Sequence, residues 1–167
     1  ARTPIGIPHN ELIALRAELQ AGQTIMEVYA TDFSVQTKDD ASPLTLADQK
    51  ANDVIQSFLS PTGLPIISEE TKTLEYSTRR QWSLCWMVDP LDGTKEFIKR
   101  NGEFTVNIAL IEHGVPVFGV VYAPVLGDVY FTKDDGAYKY TLDPSTTVPA
   151  ATILSLIHIS EPTRQEA

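Results

Sequence analysis

The stretch that decides the fold is residues 84–94, which read LCWMVDPLDGT. Its first five residues are apolar and of strand length, so they predict a strand buried in a sheet. Asp89 and Asp92 follow directly, at a point where we expect the chain to leave the sheet through a turn. Pro90 fixes φ and lacks an N–H, and Gly93 allows the backbone to approach a ligand closely. The stretch therefore predicts two carboxylates aimed at one point, although an ordinary polar turn has the same composition.

A short helix is predicted immediately after this turn. Thr94 is expected to cap a helix over residues 95–99, and the N-terminus of a helix is a position at which phosphate groups bind. The turn thus combines a carboxylate pair with a candidate phosphate position.

Carboxylates also end a second strand. The apolar run at residues 64–67 predicts a short strand that delivers Glu69 and Glu70 at its end. Neighbouring strand ends bring such groups into one acidic cluster, which repels itself unless a divalent cation binds. Carboxylates and a backbone carbonyl, such as that of Leu91, suit Mg²⁺ rather than zinc. Asp48, on a predicted helix over residues 47–59, is a further candidate, with a solvated helix face as an equal alternative.

The remaining pattern predicts an α+β fold. A helical spacing of apolar residues over 10–29 precedes the helix at 47–59, for which residues 42–45 offer a start and Gly63 an end. Strands separated by short turns are then predicted at residues 82–88, 104–112, 115–122, 128–132 and 137–142. We expect two helices to cover one face of a largely antiparallel sheet.

Charge and composition exclude several classes of function. The net charge of −9 over 167 residues argues against binding to nucleic acid or to an anionic membrane, so a phosphate substrate would need a local cation. Cys85 is the single cysteine, which excludes an intrachain disulfide and predicts a buried thiol. No apolar run approaches the roughly 18 residues of a membrane span, so no integral membrane segment is predicted and the cytoplasm is the expected location.

Both ends of the sequence are unusual. The chain begins with Ala1 rather than Met, which suggests processing or an incomplete reading frame. Residues 154–164 read LSLIHISEPTR, which resembles the translation of a transposase sequencing adapter, although a genuine closing strand would also be apolar here. We therefore predict a metal-binding lobe at 1–153 and a non-native tail at 154–167, and give His158 no functional weight.

Three motifs occur in the order typical of one family. Residues 44–48 read LTLAD, residues 68–70 read SEE, and residues 86–94 read WMVDPLDGT. Together they resemble the inositol monophosphatase superfamily of lithium-sensitive phosphatases. The continuation at residues 95–110, KEFIKRNGEFTVNIAL, is similar to the bacterial 3′(2′),5′-bisphosphate nucleotidases within it. Inositol monophosphatases typically have Thr-Asn-Phe after the Asp-Gly-Thr instead.

The resemblance implies a site and its cofactor. It makes metal ligands of Glu69, Asp89, the Leu91 carbonyl and Asp92, with Asp89 bridging two Mg²⁺ ions, and it implies inhibition by lithium. It gives catalytic roles to Asp48, Thr94 and Glu69, of which Asp48 and Thr94 orient the attacking water. The substrate-binding residues that it implies are Glu69, Leu91, Asp92, Gly93 and Thr94. His9 and His113 fall outside this pattern and are expected at the surface.

The resemblance also implies what the chain is part of. It indicates the front lobe of a layered αβαβα fold, with a second α/β lobe and a later metal-binding Asp lying beyond residue 153. The activity implied is removal of the 3′-phosphate of adenosine 3′,5′-bisphosphate to give AMP, linked to sulfate assimilation, with this fragment inactive. An inositol or sugar monophosphatase is the alternative, and a non-catalytic binding module is a second. A cytoplasmic enzyme, free or peripheral at the inner face of the cell membrane, fits this activity, and its oligomeric state is left open.

Overall fold

The computed structural model describes residues 9–31, 42–69, 75–133, 136–142 and 163–164. The helices described are α1 (His9–Tyr29), α2 (Pro43–Leu59), α3 (Tyr76–Arg79) and α4 (Thr94–Lys99), with a 3₁₀ turn at Ser60–Thr62. The strands are β1 (Ile66–Ser68), β2 (Leu84–Asp92), β3 (Thr105–Glu112), β4 (Val115–Ala123), β5 (Asp128–Lys133), β6 (Gly136–Thr141) and β7 (Thr163–Arg164). The predicted α+β class is confirmed.

The strands form one sheet in which each lies beside the next along the chain, from β1 to β7. β1 is parallel to β2, whereas all the later pairs are antiparallel. Short turns such as the one between β3 and β4 allow only antiparallel pairing, while β1 reaches β2 through a longer connection. Of the segment 154–167, the structure describes only β7, and the assignment of that segment as a non-native tail stays a prediction.

The start and end of α2 follow from local chemistry. The Ser42 hydroxyl accepts a hydrogen bond from the Thr45 N–H at 3.1 Å, and Pro43 occupies the first turn, where its missing N–H costs nothing. After the 3₁₀ turn, Gly63 takes a φ of 75°, a left-handed conformation that glycine adopts without strain. The predicted start and end of this helix are thus confirmed.

The core lies between the two long helices and one face of the sheet. α1 packs on β3 and β4, and α2 packs on β2. In β3 alternate residues are buried, since the side chains of a strand point to opposite faces. Trp86 of β2 is fully buried, and its indole N–H donates to the Thr62 hydroxyl at 3.1 Å. Cys85 is also buried, as predicted. None of the helices that the structure describes is long and apolar enough to cross a membrane.

Gly22 sets how closely α1 approaches β4. A Cβ added at this position would lie 2.2 Å from Cε2 of the Tyr122 ring. We expect Gly22→Ala to destabilise the chain by up to about 2 kcal/mol, because overpacking costs about 1–3 kcal/mol and the gain in helix propensity offsets only about 1 kcal/mol of that cost. Urea unfolding measures this difference. Gln23→Ala, at the exposed neighbouring position, is the control, and a Gly22→Ala chain as stable as this control would contradict the close approach.

Candidate active site

The two strands that carry the predicted carboxylates lie side by side. β1 and β2 are parallel, and their pairing aligns Ser68 with Val88. The next residues along the two strands are Glu69 and Asp89, which therefore lie next to each other where β1 ends. We call this end of the paired strands, with Asp92 just beyond it, the carboxylate edge of the sheet. The Glu69 side chain is exposed, and Asp89 is half-buried. The topology thus brings together two carboxylates that are far apart in the sequence.

The predicted turn at Asp89 is wrong in detail, because β2 continues as far as Asp92. Asp89 still pairs with Asn107 of β3, and pairing returns at Asp92 opposite Thr105, with an irregularity between them. Pro90 lies within the irregularity, where a residue without an N–H interrupts the ladder at little cost. A bulge of this kind re-aims the side chains next to it. The carboxylates are therefore held on a strand instead of on a free turn.

Side chains on both sides of the bulge fix its orientation. Leu91 is 3% exposed and packs in the core, while Asp92 is exposed. The Asn107 amide donates to Oδ2 of Asp92 at 3.1 Å, and the Thr105 hydroxyl donates to Oδ1 of Asn107 at 3.0 Å. This chain of hydrogen bonds holds the Asp92 carboxylate in one position. The sequence analysis missed Asn107 and Thr105, although polar residues alternating with Val106 and Ile108 are a signal of an outward-facing pair.

Gly93 and Thr94 form the junction between the bulge and α4. Gly93 has a φ of 89° and is itself the N-cap, with no side-chain hydrogen bond closing the helix. A Cβ on Gly93 would lie 3.1 Å from the carbonyl oxygen of Glu103, so the chain passes closely beside that residue. The prediction that Thr94 caps the helix is wrong, because Thr94 is the first helical residue. Thr94 is an exposed residue, two positions after Asp92.

The far end of α4 is anchored to α1. Arg100 closes α4 with a φ of 57°, and its guanidinium donates to the carbonyls of Tyr29 at 2.7 Å and Thr31 at 3.3 Å. The same guanidinium lies 4.6 Å from the centre of the Tyr29 ring. That ring also contacts Phe97 and Phe104 at centroid distances of 5.5 and 5.1 Å. Cation–π and aromatic contacts therefore hold the helix that follows the bulge.

Asp48 is linked to the end of β1 through its own helix. Asp48 and Asn52 are four residues apart in α2, so they lie on the same face of that helix. The Ser68 hydroxyl donates to Oδ1 of Asn52 at 2.8 Å, and both side chains are buried. This hydrogen bond ties α2 to the residue that immediately precedes Glu69. The sequence analysis did not identify Asn52 and Ser68 as a pair, since nothing in the spacing of two polar residues predicts a buried partner.

We expect the Ser68–Asn52 hydrogen bond to stabilise the edge of the sheet that carries Glu69. In a double-mutant cycle with Ser68→Ala and Asn52→Ala, each single variant should lose about 1–3 kcal/mol of unfolding free energy, because it leaves a buried polar group unsatisfied. The double variant should lose less than the sum, with a coupling of about 0.5–3 kcal/mol. Urea unfolding of the four chains measures these values. Strictly additive losses would mean that the two side chains do not interact.

The donor types at this edge suit a hard cation, but they do not form a closed cage. Carboxylates and a backbone carbonyl are oxygen donors of the kind that Mg²⁺ takes. Within the described ranges, no three side chains of His, Cys, Asp or Glu gather closely enough to form a metal site by themselves. The Cys85 thiol is buried, which raises its pKa and disfavours a thiolate ligand. His9 and His113 are exposed, as predicted.

The sequence of the chain is similar to those of several bacterial proteins. It is 51% identical over 123 residues to a 3′(2′),5′-bisphosphate nucleotidase, CysQ, of Escherichia coli O157:H7, a match that covers 71% of this chain and 50% of that protein. With the CysQ of Haemophilus influenzae it shares 34% identity over 127 residues, 74% of this chain and 47% of that protein. The chain thus spans about half the length of the curated relatives that it matches.

A solved structure agrees with this similarity. The crystal structure of CysQ from Bacteroides thetaiotaomicron, described as a bacterial member of the inositol monophosphatase family, superposes with a TM-score of 0.77 at 43% identity. That match covers 95% of this chain and 59% of the neighbour. The sequence model of the inositol monophosphatase family itself matches residues 10–166. The fold, the three motifs and this match together place the chain in the inositol monophosphatase family.

Proposed function

We propose that this chain supplies the metal-binding half of a phosphatase that removes the 3′-phosphate from adenosine 3′,5′-bisphosphate to give AMP. The observation that carries the proposal is the shared edge of the sheet, where parallel pairing of β1 and β2 puts Glu69 beside Asp89 and the bulge presents Asp92. Support for the substrate comes from relatives named 3′(2′),5′-bisphosphate nucleotidase and from the continuation Lys95-Glu96-Phe97. A role in sulfate assimilation is part of the same proposal.

Enzymes of this family are generally metal-dependent, usually on Mg²⁺. We propose Glu69, Asp89, Asp92 and the Leu91 carbonyl as the ligands, with Asp89 shared between two ions and lithium as an inhibitor. Mg²⁺ ions held there would supply an activated water and charge stabilisation at the leaving oxygen. The Asn107–Asp92 hydrogen bond supports this assignment, because it positions a carboxylate before any ligand binds.

The chain's own side chains supply positioning. We propose that Asp48 and the Thr94 hydroxyl orient the attacking water. Glu69 is the third proposed catalytic residue. The backbone at Gly93 and Thr94 approaches the phosphate, since Gly93 has no side chain to block it. The anchoring of α4 by Arg100 supports this role for Thr94, because it fixes the helix on which Thr94 lies. A water held in line with the scissile bond needs this kind of fixed geometry.

A chimera tests the proposal, because the chain spans about half of its relatives. Residues 10–142 would replace the matching segment of the E. coli CysQ, and phosphate release from adenosine 3′,5′-bisphosphate would be measured with saturating Mg²⁺. We expect turnover that is lost in EDTA. Turnover unaffected by EDTA would reject the metal assignment, and a folded chimera without turnover would favour a non-catalytic binding module.

The alternative substrate is an inositol or sugar monophosphate, and two residues allow it to be tested. Lys95 and Glu96 stand where inositol monophosphatases typically have Thr and Asn. In the same chimera, we expect kcat/KM to favour adenosine 3′,5′-bisphosphate over inositol 1-phosphate, and the double substitution Lys95→Thr with Glu96→Asn to reduce that preference. An equal or reversed preference in the unsubstituted chimera would favour the alternative. A cytoplasmic location, free or at the inner face of the membrane, belongs to the same proposal.

A further inference from the structure

Glu18 is an acidic residue buried inside the interface between α1 and the sheet. Its side chain is 0% exposed, and its position along α1 falls on the same helix face as Leu15, Gly22 and Ile25, which are also buried. Neither carboxyl oxygen has a hydrogen-bond partner in the part of the chain that the structure describes. A buried carboxylate without a partner is costly, whereas the neutral acid is tolerated. The candidate active site makes no use of this residue.

Among the residues that the structure describes, the buried ones around Glu18 offer it no compensating charge. α1 packs on α2, β3 and β4. The buried residues of α2 and β3 carry no ionisable group, namely Ala47, Ala51, Asn52, Ile55, Leu59, Val106, Ile108 and Leu110. β4 contributes Tyr122, whose ring also packs against Gly22, one helical turn from Glu18.

The pKa shifts of Glu18 and Tyr122 agree with this burial. Burial raises the pKa of Glu18 well above 4.5, and the nearby backbone amide of Tyr122 offsets part of the rise without reaching hydrogen-bond geometry. The pKa of the Tyr122 phenol is raised as well, first by burial and then by the Glu18 charge. The Glu18 charge therefore disfavours ionisation of the Tyr122 phenol.

We propose that Glu18 makes the docking of α1 on the sheet depend on pH: the interface accommodates the neutral acid, and ionisation weakens the packing of α1 against β4. Ionisation of Glu18 would affect the rest of the fold through α1. The carbonyl of Tyr29, the last residue of α1, holds Arg100 and thereby α4. Loosening α1 therefore releases an anchor of the helix that follows the carboxylate bulge.

The sign of the effect follows from proton linkage. Below the unfolded value near 4.5, both the folded and the unfolded chain carry the neutral acid, and the stability contributed by the proton is fully present. As the pH rises above that value, the unfolded chain loses its proton while the folded chain keeps it, so unfolding becomes easier. The contribution is lost progressively until the pH passes the folded pKa. A salt-bridged carboxylate has the opposite dependence.

Urea unfolding of the full 167-residue chain between pH 4.5 and 8.5 tests the proposal, with Glu18→Gln as the variant that cannot ionise and Glu27→Gln, exposed on the same helix, as the matched control. The ratio of unfolding constants between the unsubstituted chain and Glu18→Gln should grow by about tenfold per pH unit, starting near 4.5 and ending at the folded pKa. The ratio to Glu27→Gln should stay flat. Parallel profiles for the unsubstituted chain and Glu18→Gln would overturn the proposal.

Two measurements on α1 keep the test independent of whether Glu18→Gln folds. In the unsubstituted chain labelled with ¹³C-glutamate, the Glu18 carboxyl carbon should keep the chemical shift of the protonated acid well above pH 4.5, and ionisation near 4.5 would overturn the proposal. Hydrogen-exchange protection factors, corrected for intrinsic pH dependence, should fall with pH for α1 amides more than for α2 amides. An equal change in both helices would show that ionisation does not act on α1 docking.

Discussion

The 167-residue chain, assayed by itself, is expected to release phosphate from adenosine 3′,5′-bisphosphate at least about 10³-fold more slowly than the E. coli relative at equal concentration. The carboxylate edge of Glu69, Asp89 and Asp92 belongs to the described structure, but the chain spans about half the length of its relatives. In-line displacement requires the substrate to be held against this edge as well as a bound cation. Loss of positioning alone removes several kcal/mol of the rate enhancement.

The assay uses saturating Mg²⁺ and substrate, with the E. coli relative as the positive control and the chimera of residues 10–142 as the test of competence. We expect the 167-residue chain to release little or no phosphate and the chimera to be active. Turnover of the chain comparable to that of the relative would show that one half suffices. Failure of the chimera with a folded product would instead question the carboxylate edge itself, so the two results separate a need for the rest of the relative's length from a wrong site.

Much of the fold could be predicted from sequence, because its strands are regular. β3, β4 and β6 begin and end within one residue of their predicted bounds, since alternating apolar residues and turn residues such as Gly114 mark them. The bulge in β2 could not be placed, because Asp-Pro-Leu-Asp-Gly has the composition of a turn. Only the partner strand decides whether such a run leaves the ladder. Asn107 supplies that information, and it lies 15 residues further along the chain than Asp92.

The carboxylates of the candidate site could be predicted from the sequence, but the hydrogen bonds that hold them in place could not. Strand-end positions pointed to Glu69 and Asp89, and the parallel pairing of β1 and β2 brings them together. The hydrogen bonds that hold the site, from Asn107 to Asp92 and from Ser68 to Asn52, join residues whose spacing carries no pattern. Glu18 is different, because its place on the apolar face of α1 was visible in the sequence. A hydrophobic pattern alone gives no reason to expect a charged residue there to be fully buried.

Asp89→Asn is expected to remove most of the cation affinity of the chain and most of the turnover of the chimera. Asp89 lies next to Glu69 across the β1–β2 pair and precedes the bulge that carries Asp92, so it is the carboxylate with both of the others as neighbours. The amide that replaces it keeps the shape and loses the charge. We expect Mg²⁺ affinity of the 167-residue chain, measured by calorimetry at low ionic strength, to fall by about tenfold or more. In the chimera, turnover should fall by about 10²–10⁴.

The matched control for this prediction is Glu112→Gln, which makes the same change of charge on an exposed side chain. Glu112 pairs with Leu84 at the start of β2, so it lies at the opposite end of that strand from Asp89. A general effect of net charge on cation binding would weaken both variants equally, because the chain carries a charge of −9 that attracts cations everywhere on its surface. If the site is specific, Asp89→Asn should bind Mg²⁺ weakly, while Glu112→Gln should bind it with the affinity of the unsubstituted chain. Equal losses would mean that the acidic surface, and not the edge beside Glu69, holds the cation.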